Sequence, residues 1–209
     1  IREQGTSTAS GLTPRLTRNT INNPLNPSKG SRQDISVEVT GAGGNEEFYQ
    51  LEARNQWYYP LWDTSIGSFV FSVRTKFGWG KSFDGDDLPL YRRYFPGGIN
   101  SVRGFENRSL GPTDDDGNEF GGNKQLINNA ELIFPLIESA GLKGVVFYDI
   151  GEAFNDDDSI SVGDLREAYG YGFRWTSPLG PIRIEFGFPI DKKDGEDSMV
   201  TLFSFGAPL

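Results

Sequence analysis

The sequence predicts an all-β fold, an antiparallel transmembrane β-barrel of about eight or nine strands, on three observations. Apolar and polar residues alternate with period two through most of the chain, and period 3.6 is almost absent. The connections between alternating segments are short at one end and long at the other, as in outer-membrane barrels. Aromatic side chains gather near segment ends, at Trp57, Tyr58, Tyr59, Trp62, Phe77 and Trp79, where a membrane interface places its aromatic girdles.

Taken in order, residues 5–21 are the least regular segment, rich in Thr and Ser and interrupted by Pro14. A turn cluster of Asn, Pro, Ser and Gly follows at 23–30. Residues 33–40 set Ile35, Val37 and Val39 against Asp34, Ser36 and Glu38. Residues 48–59 set Tyr49, Leu51, Ala53, Trp57 and Tyr59 against Gln50, Glu52, Arg54 and Gln56. Residues 68–79 set Phe69, Phe71, Val73, Phe77 and Trp79 against Ser72, Arg74, Lys76 and Gly78. After a long connection over about 80–124, residues 125–134 oppose Leu126, Ala130, Leu132 and Phe134 to Ile127, Asn129 and Glu131. Residues 144–151 oppose Val146, Tyr148 and Ile150 to Phe147 and Asp149. The pattern is strongest at the end, where Tyr169, Tyr171, Phe173 and Trp175 alternate with small or polar residues, followed by 182–190 and 201–205. Nine such segments of roughly 8 to 12 residues are long enough to cross a bilayer when tilted.

A soluble sandwich also alternates, but its apolar face is a core rich in Val, Ile and Leu. Here that face is aromatic, and the opposite face carries charges of both signs, among them Glu52, Arg54, Arg74, Lys76, Glu131, Asp149, Arg174, Arg183 and Glu185. A water-filled lumen accommodates them. The net charge of −9 argues against a nucleic-acid partner. With no Cys and no His, there is no disulfide framework, thiol nucleophile, Cys/His zinc site or Ser-His-Asp triad. No enzymatic activity, cofactor or metal is expected. No run of about 18 apolar residues forms a transmembrane helix. The chain opens in mid-pattern at Ile1 with no signal-peptide pattern, so a segment of a larger protein is expected.

The long connection contains Tyr94-Phe-Pro-Gly-Gly-Ile-Asn-Ser-Val-Arg-Gly-Phe105, whose apolar residues a merely soluble loop does not need. Its residues 96–105 resemble the signature loop of the BamA-like family of outer-membrane protein insertases. Phe147-Tyr-Asp-Ile-Gly151 is similar to that family's second signature, Phe-x-Asp-x-Gly, carried by Phe147, Asp149 and Gly151. Residues 129–135 and 175–184 resemble the strand after the loop and the penultimate hairpin. The four motifs occur in family order and cover essentially the whole chain. One departure lies at the C-terminus, where Ala207-Pro208-Leu209 stands in place of an aromatic end.

The resemblance implies that residues 1–209 are the C-terminal part of a sixteen-stranded barrel, lacking the N-terminal barrel half and the periplasmic POTRA domains. It implies residence in the bacterial outer membrane and assembly of nascent outer-membrane proteins by edge-strand pairing and membrane destabilisation. Accessory lipoproteins join the full-length protein, and the isolated segment is a candidate for self-association. A translocator of the two-partner secretion type and a passive porin-like barrel are the alternatives. The resemblance further implies that the loop folds back into the lumen, with Val102, Arg103, Gly104 and Phe105 as its latch. By alternation, Glu131 and Asp149 face inward as partners for Arg103, and Gly97, Gly98 and Gly104 let the loop turn tightly and approach the wall. On alternation alone, Arg103 is equally readable as a solvated loop charge. The acidic stretch 114–119 lacks the twelve-residue calcium-loop pattern and reads as a solvated loop.

Overall fold

The computed structural model describes residues 8–83, 88–114 and 116–206. Residues 5–7 of the least regular segment, Asp115 of the acidic stretch and the C-terminal 207–209 lie outside the described residues. One antiparallel sheet of ten strands organises the chain. The strands are β1 (Gly11–Leu12), β2 (Arg15–Asn19), β3 (Gly30–Thr40), β4 (Phe48–Thr64), β5 (Gly67–Ser82), β6 (Lys124–Ile137), β7 (Leu142–Phe154), β8 (Arg166–Ser177), β9 (Gly180–Pro189) and β10 (Val200–Phe205). From β3 to β10 every strand pairs with its sequence neighbours, and β1 and β2 both pair with β3.

The count is ten rather than nine because the first segment is two short strands. Pro14 separates them, since proline has no N–H for the ladder. β4 and β5 run further than the alternation over 48–59 and 68–79 indicates. Pro60 still pairs with Val70, a bulge at Leu61 follows it, and the pairing resumes at Trp62, so the hairpin closes only at Thr64 and Gly67. The tight turns at this end contrast with the connections 83–123, 155–165 and 190–199 at the other.

The two faces differ as the alternation requires. The outer face exposes Ile35, Val37, Val39, Trp57, Tyr59, Phe71, Tyr169, Tyr171 and Phe173. Rings cluster near both ends of this face. Trp62 stacks on Phe69 at 4.9 Å between centroids, and Tyr49 meets Trp79 at 5.2 Å. An apolar surface this extensive, banded by aromatics, is one that faces lipid. The inner face is covered by the 83–123 connection, whose Val102, Phe105 and Leu110 bury with Ile127 and Ala168. At the short-turn end a second cluster, Tyr58, Val70, Ile133 and Val145, is capped by Ile21.

Candidate functional site

The inner wall and the long connection meet at Arg103, which is fully buried. Its backbone N–H donates to Asp149 Oδ2 at 2.9 Å, Nε donates to the same oxygen at 2.7 Å, and Nη2 donates to Oδ1 at 2.7 Å. This is the two-pronged geometry that suits a guanidinium and a carboxylate. Nη1 lies 2.6 Å from Glu131 Oε1 and donates to Glu185 Oε2 at 3.0 Å. The guanidinium plane sits 3.7 Å from the Phe147 ring centroid, a cation–π contact in a dry setting.

Strand register supplies the partners. Glu131 is on β6, Phe147 and Asp149 on β7, and Glu185 on β9, all at inward positions. Arg174, inward on β8 between them, donates to Glu131 at 2.7 and 2.9 Å and to Glu185 at 2.8 Å. Arg183 donates to Glu185 at 2.9 Å. Three arginines thus face three carboxylates and the cluster is neutral, the condition under which buried charges are tolerated. Burial works against the Arg103 charge, but the Glu131 carboxylate and the Asp149 hydrogen bond outweigh it. The guanidinium is held well above its ordinary range.

The loop tip is gripped through its backbone as well. Asn129 Nδ2 donates to the Ser101 carbonyl at 2.7 Å, Lys76 to that of Asn100, and Arg183 to that of Ile99. Gly97 and Gly98 turn the tip at φ of 107° and 90°, values open to glycine. Gly187 on β9 allows the closest approach. A Cβ there would lie 2.0 Å from the Arg103 carbonyl oxygen and 2.5 Å from Gly104 N. Gly104 in turn lies where a Cβ would meet that of Ala168, and Val102 and Phe105 bury on either side of the arginine. Gly151, the last residue of the second motif, backs onto β6, where a Cβ would come 2.8 Å from the Leu126 carbonyl oxygen.

The structure therefore brings Arg103 together with both carboxylates chosen by alternation and adds Glu185, Arg174, Arg183 and Gly187. The alternation already placed the first three facing inward. The signal for Gly187 is a glycine between Phe186 and Phe188 in an otherwise strong strand, which marks a close backbone approach. In the acidic stretch, Asp114 Oδ1 accepts from the N–H groups of Asp116 and Asn118, so its carboxylate orders its own turn.

A second, outer tie holds the 190–199 connection. Arg166 on β8 donates to Glu196 through both Nη atoms and to the Asp191 carbonyl, and its guanidinium covers the Phe105 ring at 4.6 Å. The Arg166 hydrogen bond lowers the Glu196 carboxyl against the opposing effect of partial burial. A lowered folded-state value means that this contribution is complete above the ordinary carboxylate pKa of about 4.3 and is lost as pH falls through the lowered value. Hydrogen exchange of the 190–199 amides, corrected for intrinsic rate, is expected to be flat from about pH 8 to 5 and to accelerate below about pH 4. Glu196→Gln is expected to exchange faster at neutral pH and to lose the acid step.

A lipid-facing antiparallel sheet with a loop locked to its inner wall defines part of an outer-membrane barrel of the plugged kind. The chain belongs to the Omp85 superfamily, whose domain model matches residues 2–207. It is 31% identical over 198 residues to the outer membrane protein assembly factor BamA of Nitratidesulfovibrio vulgaris, covering 92% of this chain and 24% of that protein. The BamA of Neisseria meningitidis serogroup B is 27% identical, over 90% of this chain and 27% of its own. The crystal structure of BamA from Haemophilus ducreyi lacking POTRA domains 1–3 superposes with a TM-score of 0.77 at 26% identity, over 93% of this chain and 42% of that one. The chain thus spans about a quarter of the length of the curated relatives it matches.

Proposed function

We propose that the protein containing this segment assembles nascent β-barrel proteins into the bacterial outer membrane, and that residues 1–209 form the C-terminal part of its barrel, preceded by further strands and POTRA domains. The observation that carries the reading is the contrast between a locked interior and a weak terminal edge. β10 is only six residues long and pairs with β9 along its whole length. A terminal strand this short makes few ladder hydrogen bonds with any neighbour on its far side, so an incoming strand can take that neighbour's place. The Arg103 cluster acts as the latch that keeps the loop seated while that edge opens, and accessory lipoproteins join the full-length protein outside the barrel.

Residues 1–209 contain no cysteine, so a thiol introduced on β10 is unique within this segment. Full-length protein carrying Ser204→Cys is expected to form a disulfide with a folding outer-membrane protein bearing a single cysteine in its terminal strand. Accelerated folding of that substrate without any cross-link along β10 would overturn edge pairing as the route.

A further inference from the structure

Between its aromatic ends the outer face of β4–β6 is apolar except along one line. The period-two pattern breaks there once per strand, at Asn55, Thr75 and Asn128. Gln33 on β3 adds a fourth break beside Ser31, and Arg18 on β2 pairs with Gln33 and ends the row in a charge. Register aligns the four breaks, since Gln33 pairs with Asn55, Asn55 with Thr75 and Thr75 with Asn128. The adjoining row, Ile35, Ala53, Phe77 and Leu126, is wholly apolar, and Trp57, Val73 and Ala130 line the other side. On β7 the row ends at Ile150.

The line lies at mid-height. Thr75 is six residues from Phe69 and four from Trp79, the rings marking the two ends of the outer face. At about 3.3 Å per residue, it is roughly 20 and 13 Å along the strand from them. Asn55 is six residues from Tyr49, and Asn128 is six from Phe134. Partial pairing links the side chains. Gln33 Nε2 and Trp57 Nε1 donate to Asn55 Oδ1 at 3.1 and 2.7 Å, and Thr75 Oγ1 donates to Asn128 Oδ1 at 2.8 Å. The hydrogen-bonding capacity is not used up. Gln33 Oε1 is buried without a partner, and among the described residues no acceptor meets the amide donors of Asn55 and Asn128. Unsatisfied amides in hydrocarbon are costly, and bilayers answer such groups by thinning and admitting water.

We propose that this ladder holds a water defect in the bilayer against β3–β6, a membrane-perturbing face separate from the terminal edge at β10. The lower-energy course for the free amide groups is to hydrate, and water reaching mid-depth disorders the lipid beside these strands. This inference rests on the outer-membrane reading but not on the assembly activity, because its test contains no substrate.

The experiment uses full-length protein in phosphatidylethanolamine–phosphatidylglycerol vesicles. A nitroxide is attached at Ala130→Cys, next to Asn128, or at Ile184→Cys, at mid-height on β9. Collision rates with a water-soluble nickel chelate and with oxygen are then read by spin resonance. Nickel access at 130 is expected to be at least threefold that at 184, with comparable oxygen access at both. Adding Asn55→Leu, Thr75→Val and Asn128→Leu is expected to abolish the difference. The comparison of the two sites needs no ladder substitution, so it decides even where the triple variant does not fold. Nickel access at 130 as low as at 184 overturns the proposal. So do low nickel and low oxygen access at 130 together, which would mean that protein covers the ladder.

Discussion

Arg103→Ala is expected to release the 94–105 loop from the inner wall. The substitution leaves Arg174 and Arg183 to face Glu131, Asp149 and Glu185, so one buried carboxylate charge loses its counterion. Removing one partner from a buried ion pair costs about 3–5 kcal/mol, on the order of 10²- to 10³-fold in the loop's opening equilibrium. Limited proteolysis of the full-length protein in detergent reports this as cleavage within 83–123. Arg103→Lys keeps the charge but not the fork that spans Asp149 Oδ1 and Oδ2, so cleavage intermediate between wild type and alanine is expected. Loop protection in the alanine variant equal to wild type would sink the latch.

Gly187→Val is expected to open the same loop without removing any charge. The atoms a Cβ would meet are the carbonyl oxygen and carbon of Arg103 and the nitrogen of Gly104, all backbone, and no rotamer change relieves them. The strand itself tolerates the residue, since β-branched side chains suit a pleated sheet. The loop must therefore lift and lengthen the Arg103–Asp149 bonds, which weaken steeply with distance and angle. The expected result is loop cleavage close to that of Arg103→Ala with the barrel's heat-resistant migration on gels retained. A variant that keeps wild-type protection would show that β9 moves instead of the loop.

The sequence carried the strands because alternation is local. Each inward and outward position on β5 to β9 follows from counting by two, which also placed Glu131 and Asp149 on the wall facing Arg103. Choosing among the inward charges was a different problem. Glu52, Glu131, Asp149 and Glu185 all point inward by parity, and only the relative shift of adjacent strands brings the last three to one guanidinium. That shift is a non-local quantity set by ladder register and turn length. Splitting the first segment into β1 and β2 required weighing Pro14 against the ladder. Asn55, Thr75 and Asn128 lie far apart in the chain, and their alignment is visible only through the pairing of β4, β5 and β6.

The arginine cluster also has a history in time. Its members come from β6, β7, β8 and β9, and Arg103 lies 46 residues from Asp149 and 82 from Glu185 in the chain. Contacts across such separations close late, after the entropy of the intervening loops has been lost. Until β9 lies beside β8, Glu185 is absent and Arg103 and Arg174 have only two carboxylates between them. The complete cluster, in which Glu185 meets Arg103, Arg174 and Arg183, therefore forms only once β6 to β9 have paired in register, a checkpoint written into the barrel's own order of folding.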